Sequence, residues 1–340
     1  MRISGDWKLR LRPEFEIIPL AGSKVLLRSP NQGVRVSVDG LGARGLAALI
    51  RAMDGSRTVA ALLDEYGLSG TVESLLDGLV TRDILDVDGQ VLPSSDDARF
   101  FAQFHEDPAG CSRRLAESRV VVMGVGSLAE CVTRSLRIAG VAEVTRVPAV
   151  SKNGDGTETV GDMSDRPVLA RACRGADLAV ACSERGGRSA CETLMNEVAL
   201  DLALTWLPVR IFAGEGFVGP LFVSGEGPCH ACLLAREEAN WVDPDLMRVY
   251  LERIAENPST LEAYGRLPAF VALTSQWVVL EATKYLSRFT VPALLGHVLR
   301  IDFIGCRTQL HRVLRLPRCA QCSPAAHRPG VNGLLYARPE

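Results

Sequence analysis

Four cysteines are spaced to bind a metal: Cys229-His-Ala-Cys232 and Cys319-Ala-Gln-Cys322 are two C-x-x-C pairs with 86 residues between them. Each pair presents two thiolates from one tight turn, and two such turns complete a tetrahedral four-sulfur shell. A closed shell leaves no position for water, so the ion this spacing predicts is a structural Zn2+. Zinc there would tie the end of the sequence to its middle. Gly227-Pro228 before the first pair, and Pro317 and Pro324 around the second, are turn-forming flanks suited to such knuckles. His230 and Ala231 read as spacers. The competing chemistry, a pair of redox dithiols, lacks a thioredoxin-like setting.

A second pattern concerns phosphate. Arg119-Val-Val-Val-Met123 reads as a buried parallel strand, followed at once by Gly124-Val-Gly126-Ser-Leu-Ala129 and a helix to about Ala139. Strand, G-x-G-x-x-A, helix is the opening of a dinucleotide fold, in which Gly124, Gly126 and Ala129 let a phosphate approach a helix N-terminus. Val144 to Val147 reads as the second strand and Ala176 to Ala181 as a later one. Ser189 to Leu200 forms a helix containing Leu194-Met-Asn196. Trp206 to Phe212 and Gly216 to Val223 are strands leading into the first cysteine pair.

The rest of the chain must position these groups. At 340 residues and 47% hydrophobic it can bury two cores, and a formal charge of −2 gives no electrostatic pull toward nucleic acid or anionic membrane. Nothing at the start resembles an apolar signal core, and the longest apolar run, Phe270 to Leu286, carries Gln276, Glu281 and Lys284. It reads as a buried helix. A cytoplasmic protein with reduced thiols is expected, so Cys111, Cys131, Cys173, Cys182, Cys191 and Cys306 are expected as packed small residues.

Upstream, Phe15 to Leu20, Lys24 to Arg28 and Val34 to Val38 alternate like short strands. Three helical patterns follow: Ala43 to Met53, Thr58 to Tyr66, and Thr71 to about Thr81 with Thr71 as N-cap. A short strand, Ile84 to Val87, returns before Asp88-Gly89. These elements describe a winged helix-turn-helix. A DNA-reading helix needs basic residues, but the third helix offers Glu73 and Asp77 and no base before Arg82. DNA binding is therefore not expected. The organisation predicted is α/β: a winged-helix domain over 1–93, a linker over 94–117 marked by Pro93-Ser-Ser-Asp-Asp97, and a Rossmann-like domain over 118–340 carrying the zinc knuckles.

Residues 10–92 resemble the PqqD-like RiPP recognition element. The strand-turn-strand opening, Met53-Asp54-Gly55-Ser-Arg57-Thr58-Val59 and Leu75-Leu76-x-x-Leu79 carry the likeness. The resemblance implies that a leader peptide adds as a strand to the small sheet, beside the third helix. The edge would be Val34, Arg35, Val36, Ser37 and Val38. Val72, Leu75, Leu76 and Leu79 would form the groove wall.

Residues 117–325 resemble the ThiF family of ubiquitin-activating-type adenylyltransferases, through the Gly loop combined with paired C-x-x-C. That family places an acidic residue at the end of the second strand, an arginine just beyond it, and a magnesium-holding aspartate after a later strand. Here the second strand ends Arg146-Val147-Pro148-Ala149, and Ser151 to Asp162 contains no arginine. The aspartate position falls on Glu184. Only Gly124, Gly126, Asn196 and Glu184 match the nucleotide-binding set, so ATP use is not expected. An acyl-accepting cysteine is not evident either, because Cys306 reads as a packed strand-end thiol.

Together the two likenesses resemble the leader-binding partner protein of azoline-forming cyclodehydratases. This implies binding of a ribosomally made precursor's leader and its presentation to a YcaO-type enzyme that forms thiazolines or oxazolines. The sequence ends at Glu340, so that enzyme is expected on a separate chain. Relatives often dimerise, which leaves a homodimer open. The alternative is a divergent adenylyltransferase activating a peptide carboxylate. A DNA-binding regulator is a third class, disfavoured by the acidic third helix.

Overall fold

The computed structural model describes residues 3–29, 32–68, 72–82, 84–87, 96–104, 107–124, 126–147, 150–152, 158–160, 166–184, 190–256 and 265–323, with backbone alone at 150–152, 158–160, 190 and 254–256. The expected cap at Thr71, most of the boundary stretch from Pro93, Pro148-Ala149 and Pro324 lie outside these residues. The chain divides into two units, residues 1–112 and 113–340.

The first unit runs β1 (Leu9–Leu11), β2 (Glu16–Pro19), β3 (Lys24–Arg28), β4 (Gly33–Ser37), α1 (Ala43–Arg51), α2 (Val59–Glu65), α3 (Glu73–Thr81), β5 (Leu85–Val87) and α4 (Asp96–Phe101). In β3 alternation does the work: Val25 and Leu27 face inward between exposed Lys24 and Arg28. Helix α1 buries Ala43, Leu46, Ala47, Leu49 and Ile50, one stripe at helical spacing. Thr58 caps α2 by accepting the Ala61 N–H. The three-stranded sheet is antiparallel in the order β2-β3-β4. The returning strand behaves differently from expectation. It does not join that sheet but pairs with β1, a three-residue strand too short for periodicity to reveal. Arg10 on β1 is buried and reaches Asp86 on β5 at 2.7 Å, a cross-strand ion pair that holds the two together.

The interval 94–117, read as a linker, contains α4 and the whole of α5 (Pro108–Glu117), which crosses the unit boundary. The second unit continues β6 (Arg119–Met123), α6 (Gly126–Ile138), β7 (Glu143–Val147), β8 (Val150–Lys152), β9 (Glu158–Val160), α7 (Arg166–Cys173), β10 (Leu178–Ser183) and α8 (Ala190–Leu202). It then runs β11 (Trp206–Phe212), β12 (Glu215–Val218), α9 (His230–Glu238), α10 (Pro244–Glu256), α11 (Pro268–Ser287), β13 (His297–Asp302) and β14 (Arg307–Arg312).

Seven of these strands form one mixed sheet, ordered β14-β13-β12-β11-β10-β6-β7. The run from β7 to β11 is parallel, and β12, β13 and β14 are antiparallel additions. Strand β6 buries four successive residues because both faces are covered. Val120 and Val122 join the core that also holds Leu128, Val132, Val278 and Ala282 of α6 and α11. Val121 and Met123 pack on the opposite face with Leu169, Met195 and Val198 of α7 and α8. Leu178 and Val180 of β10 divide from Ala179 and Ala181 in the same way. Complete burial of one such side chain stabilises by about 1.5–3 kcal/mol, so these two layers anchor the strand ends that carry the site. Among the described residues no helix is long and apolar enough to cross a membrane.

Candidate functional site

The first C-x-x-C pair sits at a helix start. Cys229 is the N-cap of α9 and Cys232 lies in its first turn, so the spacing of three turns both sulfurs to one side. Their thiolates also face the positive end of the helix. The second pair approaches from the turn after β14. All four sulfurs lie within 4.8 Å of one another. Cys229 and Cys319 are 3.6 Å apart, Cys232 and Cys322 3.6 Å, and Cys229 and Cys232 3.9 Å. A tetrahedral thiolate centre with bonds of about 2.3 Å puts its sulfurs about 3.8 Å apart. The donor set therefore fits a metal ion. The backbone N–H of Leu316 also points at the Cys232 sulfur, 3.4 Å away. Burial raises the Cys229 thiol and lifts Cys322 to about 11. Burial also opposes the Cys319 thiolate, but the N–H groups of Cys322 and Gln321 with the neighbouring thiols outweigh it and bring that group to about 7.

Asn196 is where the structure most changes the sequence-based assignment. Read as a remnant of a nucleotide site, it is instead buried on α8 behind the cysteines. Its Oδ1 accepts the His230 backbone N–H at 2.9 Å, and its Nδ2 donates to the Gln321 Oε1. One amide thus bridges the middle residues of both knuckles. His230, read as a spacer, is also buried. Its ring packs edge-on against Trp206 and Phe222, with Nε2 3.2 Å from a Glu192 carboxylate oxygen. Glu192 in turn lies 4.0 Å from Arg210, which donates to Glu237 at 2.8 Å. Burial works against the Arg210 cation, but the two carboxylates outweigh it and raise its pKa. Only the fold could reveal this support, since its members come from α8, β11, α9, the Phe222 segment and the second knuckle, all separate segments of the sequence.

At the other end of the sheet, the glycine loop has the expected strand-to-helix setting. Gly124 and Gly126 both take positive φ, 135° and 85°. A Cβ on Gly124 would sit 2.5 Å from the Cys182 carbonyl oxygen, so this glycine is needed for the close approach of β10. Ala129 is buried against the sheet. Glu184 does not stand apart as a magnesium ligand would. Its Oε1 accepts from the Ser127 hydroxyl at 2.8 Å and from the Leu128 N–H, in the first turn of α6. Arg266, just before α11, holds its Oε2 at 2.8 Å. At the end of β7, Arg146 pairs with Glu130 at 3.2 Å.

No family model matches the chain, and no curated protein matches it in sequence. Solved structures do. The heterocyclase TruD superposes with a TM-score of 0.67 at 18% identity, over 93% of this chain and 43% of that one. A heterocyclase in complex with substrate and cofactor gives 0.65 at 17% identity, over 93% and 39%. E. coli MccB crystallised with MccA gives 0.63 at 12% identity, over 92% and 99%. The chain has a mixed α/β fold of the MccB type. It spans about two-fifths of the length of the heterocyclases it matches.

In the first unit, Val34, Arg35, Val36 and Ser37 lie on β4, which pairs with β3 alone among the described strands. Val38 lies just past the strand, bridged to Leu41. Val36 and Val38 face the core, Arg35 and Ser37 are exposed, and Val34 is half-buried. Of the expected groove wall, Val72, Leu76 and Leu79 are at most 1% exposed and belong to the core. Leu75 packs on that core while keeping part of its surface open. Cys306 is corrected from packed to exposed, in the tight turn between β13 and β14 with φ 51°. Cys111 and Cys173 are buried as expected, and Cys131, Cys182 and Cys191 are partly so.

Proposed function

We propose that this chain binds the leader of a ribosomally made precursor peptide and presents it to a separate YcaO-type cyclodehydratase for azoline formation. The observation that carries the reading is the β4 edge, which no strand among the described residues pairs with, in a unit where the partly open Val34 and Leu75 rest on one shared core. An extended peptide adds to such an edge through its backbone and is selected by pockets for alternate side chains. On this reading the first unit is a winged-helix recognition element. The likeness to TruD and to MccB crystallised with MccA supports a peptide as the partner. The four-cysteine centre holds zinc, whose closed thiolate shell makes it a brace rather than a catalyst. The second unit then acts as a platform, raising the local concentration of core peptide at the enzyme.

A second reading, ATP-dependent activation of a peptide carboxylate, draws on MccB, which this chain matches over 99% of that chain's length in its structure with ATP. The missing carboxylate after β7 and the Glu184 side chain in the glycine loop count against it. ATP–pyrophosphate exchange by the purified chain is expected to be absent, and robust exchange would reverse the order of the two readings.

The deciding experiment titrates fluorescently labelled leader peptides from neighbouring precursor genes into the chain, with Arg35→Pro and Val36→Pro as controls. Successive residues of an antiparallel strand direct their N–H groups to opposite edges. One proline therefore strikes the free edge and the other the β3 ladder. Binding lost in the proline variant that stays fully folded supports the reading. No binding to any candidate leader, or binding indifferent to both prolines, overturns it.

A further inference from the structure

The N-terminus of α6 already holds an anion, and that anion belongs to the chain. We propose that Glu184 is a built-in ligand of the glycine loop, a carboxylate latch fastened by Arg266 that shuts a phosphate-binding site. The donors it uses, the Leu128 N–H and the Ser127 hydroxyl, are those a helix N-terminus offers to a phosphate. Arg266 closes the latch from outside: one nitrogen meets Oε2 at 2.8 Å and another donates to Glu184's own backbone carbonyl at 2.8 Å. That two-point grip leaves the Glu184 side chain only 9% exposed. Gly126 fits the same account. A Cβ there would lie 2.5 Å from Oε2, so its missing side chain makes room for the carboxylate.

Beside the latch opens a cleft of about 830 Å3, lined by Ser127, Glu130, Arg134, Arg266 and Val271 among others. Arg134 is exposed there and has no partner among the described residues. Releasing Glu184 would free Ser127, the Leu128 N–H and Arg266 together, next to Arg134. Those are the donors a polyphosphate needs. A tethered carboxylate competes at a high effective concentration, so phosphate in solution meets an occupied site. The inference stands apart from the peptide-binding reading, because it is tested by phosphate binding alone while the leader titration tests the other.

The test is calorimetric titration of inorganic tripolyphosphate into the wild-type chain, Glu184→Ala and Glu184→Gln. A competitor that occupies the site nine-tenths of the time weakens apparent affinity about tenfold. Glu184→Ala is therefore expected to bind tripolyphosphate at least about tenfold more tightly than wild type. Glu184→Gln, similar in size but uncharged, should fall between them, and it carries the test if the alanine variant does not fold. Wild-type binding equal to that of the variants would overturn the latch. So would a folded Glu184→Gln with no gain.

Discussion

The Asn196 side chain accepts the His230 backbone N–H at 2.9 Å and donates to Gln321, so one buried amide links two cysteine knuckles 90 residues apart in sequence. The knuckles thus share a brace that does not depend on sulfur. Leaving a buried donor or acceptor unpaired costs about 1–3 kcal/mol. Asn196→Ala is expected to lose that much in denaturant unfolding and to release metal faster to a chromophoric chelator. Asn196→Asp should be worse than its shape suggests, because a carboxylate would face the Gln321 oxygen. Unchanged stability and release rate in both variants would show that the brace is incidental.

The four-sulfur centre predicts one zinc per chain by elemental analysis, lost in Cys319→Ser. Removing it leaves buried thiols without the ion that joins them. A loss of about 3 kcal/mol lowers Tm by about 6–12 °C in a unit of this size, so chelation should produce a shift of at least that order, reversed by added zinc. A metal-free chain with the same Tm would contradict the structural role.

Acidity should govern metal uptake in a defined direction. Cys229 and Cys322 have pKa values raised by burial, the latter to about 11, so both carry protons at neutral pH when no metal is bound. Binding must displace those two protons. Apparent affinity should rise by at least about two orders of magnitude per pH unit between pH 6.5 and 7.5, the more so because Cys319, at about 7, also gives up its proton across that range. Competition titrations at the two pH values measure it, and a flat profile would mean that the sulfurs are not the ligands.

Neighbouring leucines on α3 should separate binding from stability. Leu76→Ala removes a fully buried side chain and is expected to cost about 2–5 kcal/mol. Leu75→Glu changes a half-buried residue beside the proposed groove. It should weaken leader binding severalfold while leaving the unfolding midpoint close to wild type. A variant that binds the leader normally would remove Leu75 from the contact surface.

Much of this protein is legible in its residues because the relevant signals are local. Paired C-x-x-C spacing announces the metal centre, since three residues bring two sulfurs to one side of a turn. Four successive apolar residues, Val120 to Met123, announce a strand covered on both faces, and Gly124-Val-Gly126 the turn that follows it. What sequence cannot supply is the partner of a polar side chain drawn from a distant element. Asn196 and Glu184 occupy positions that match a nucleotide-binding pattern, yet one braces the knuckles and the other fills the helix N-terminus. The residue types permit either role. Hydrogen bonding in a buried site depends on ångström-scale approach between segments tens of residues apart, and only the packed sheet and its two helical layers set those distances.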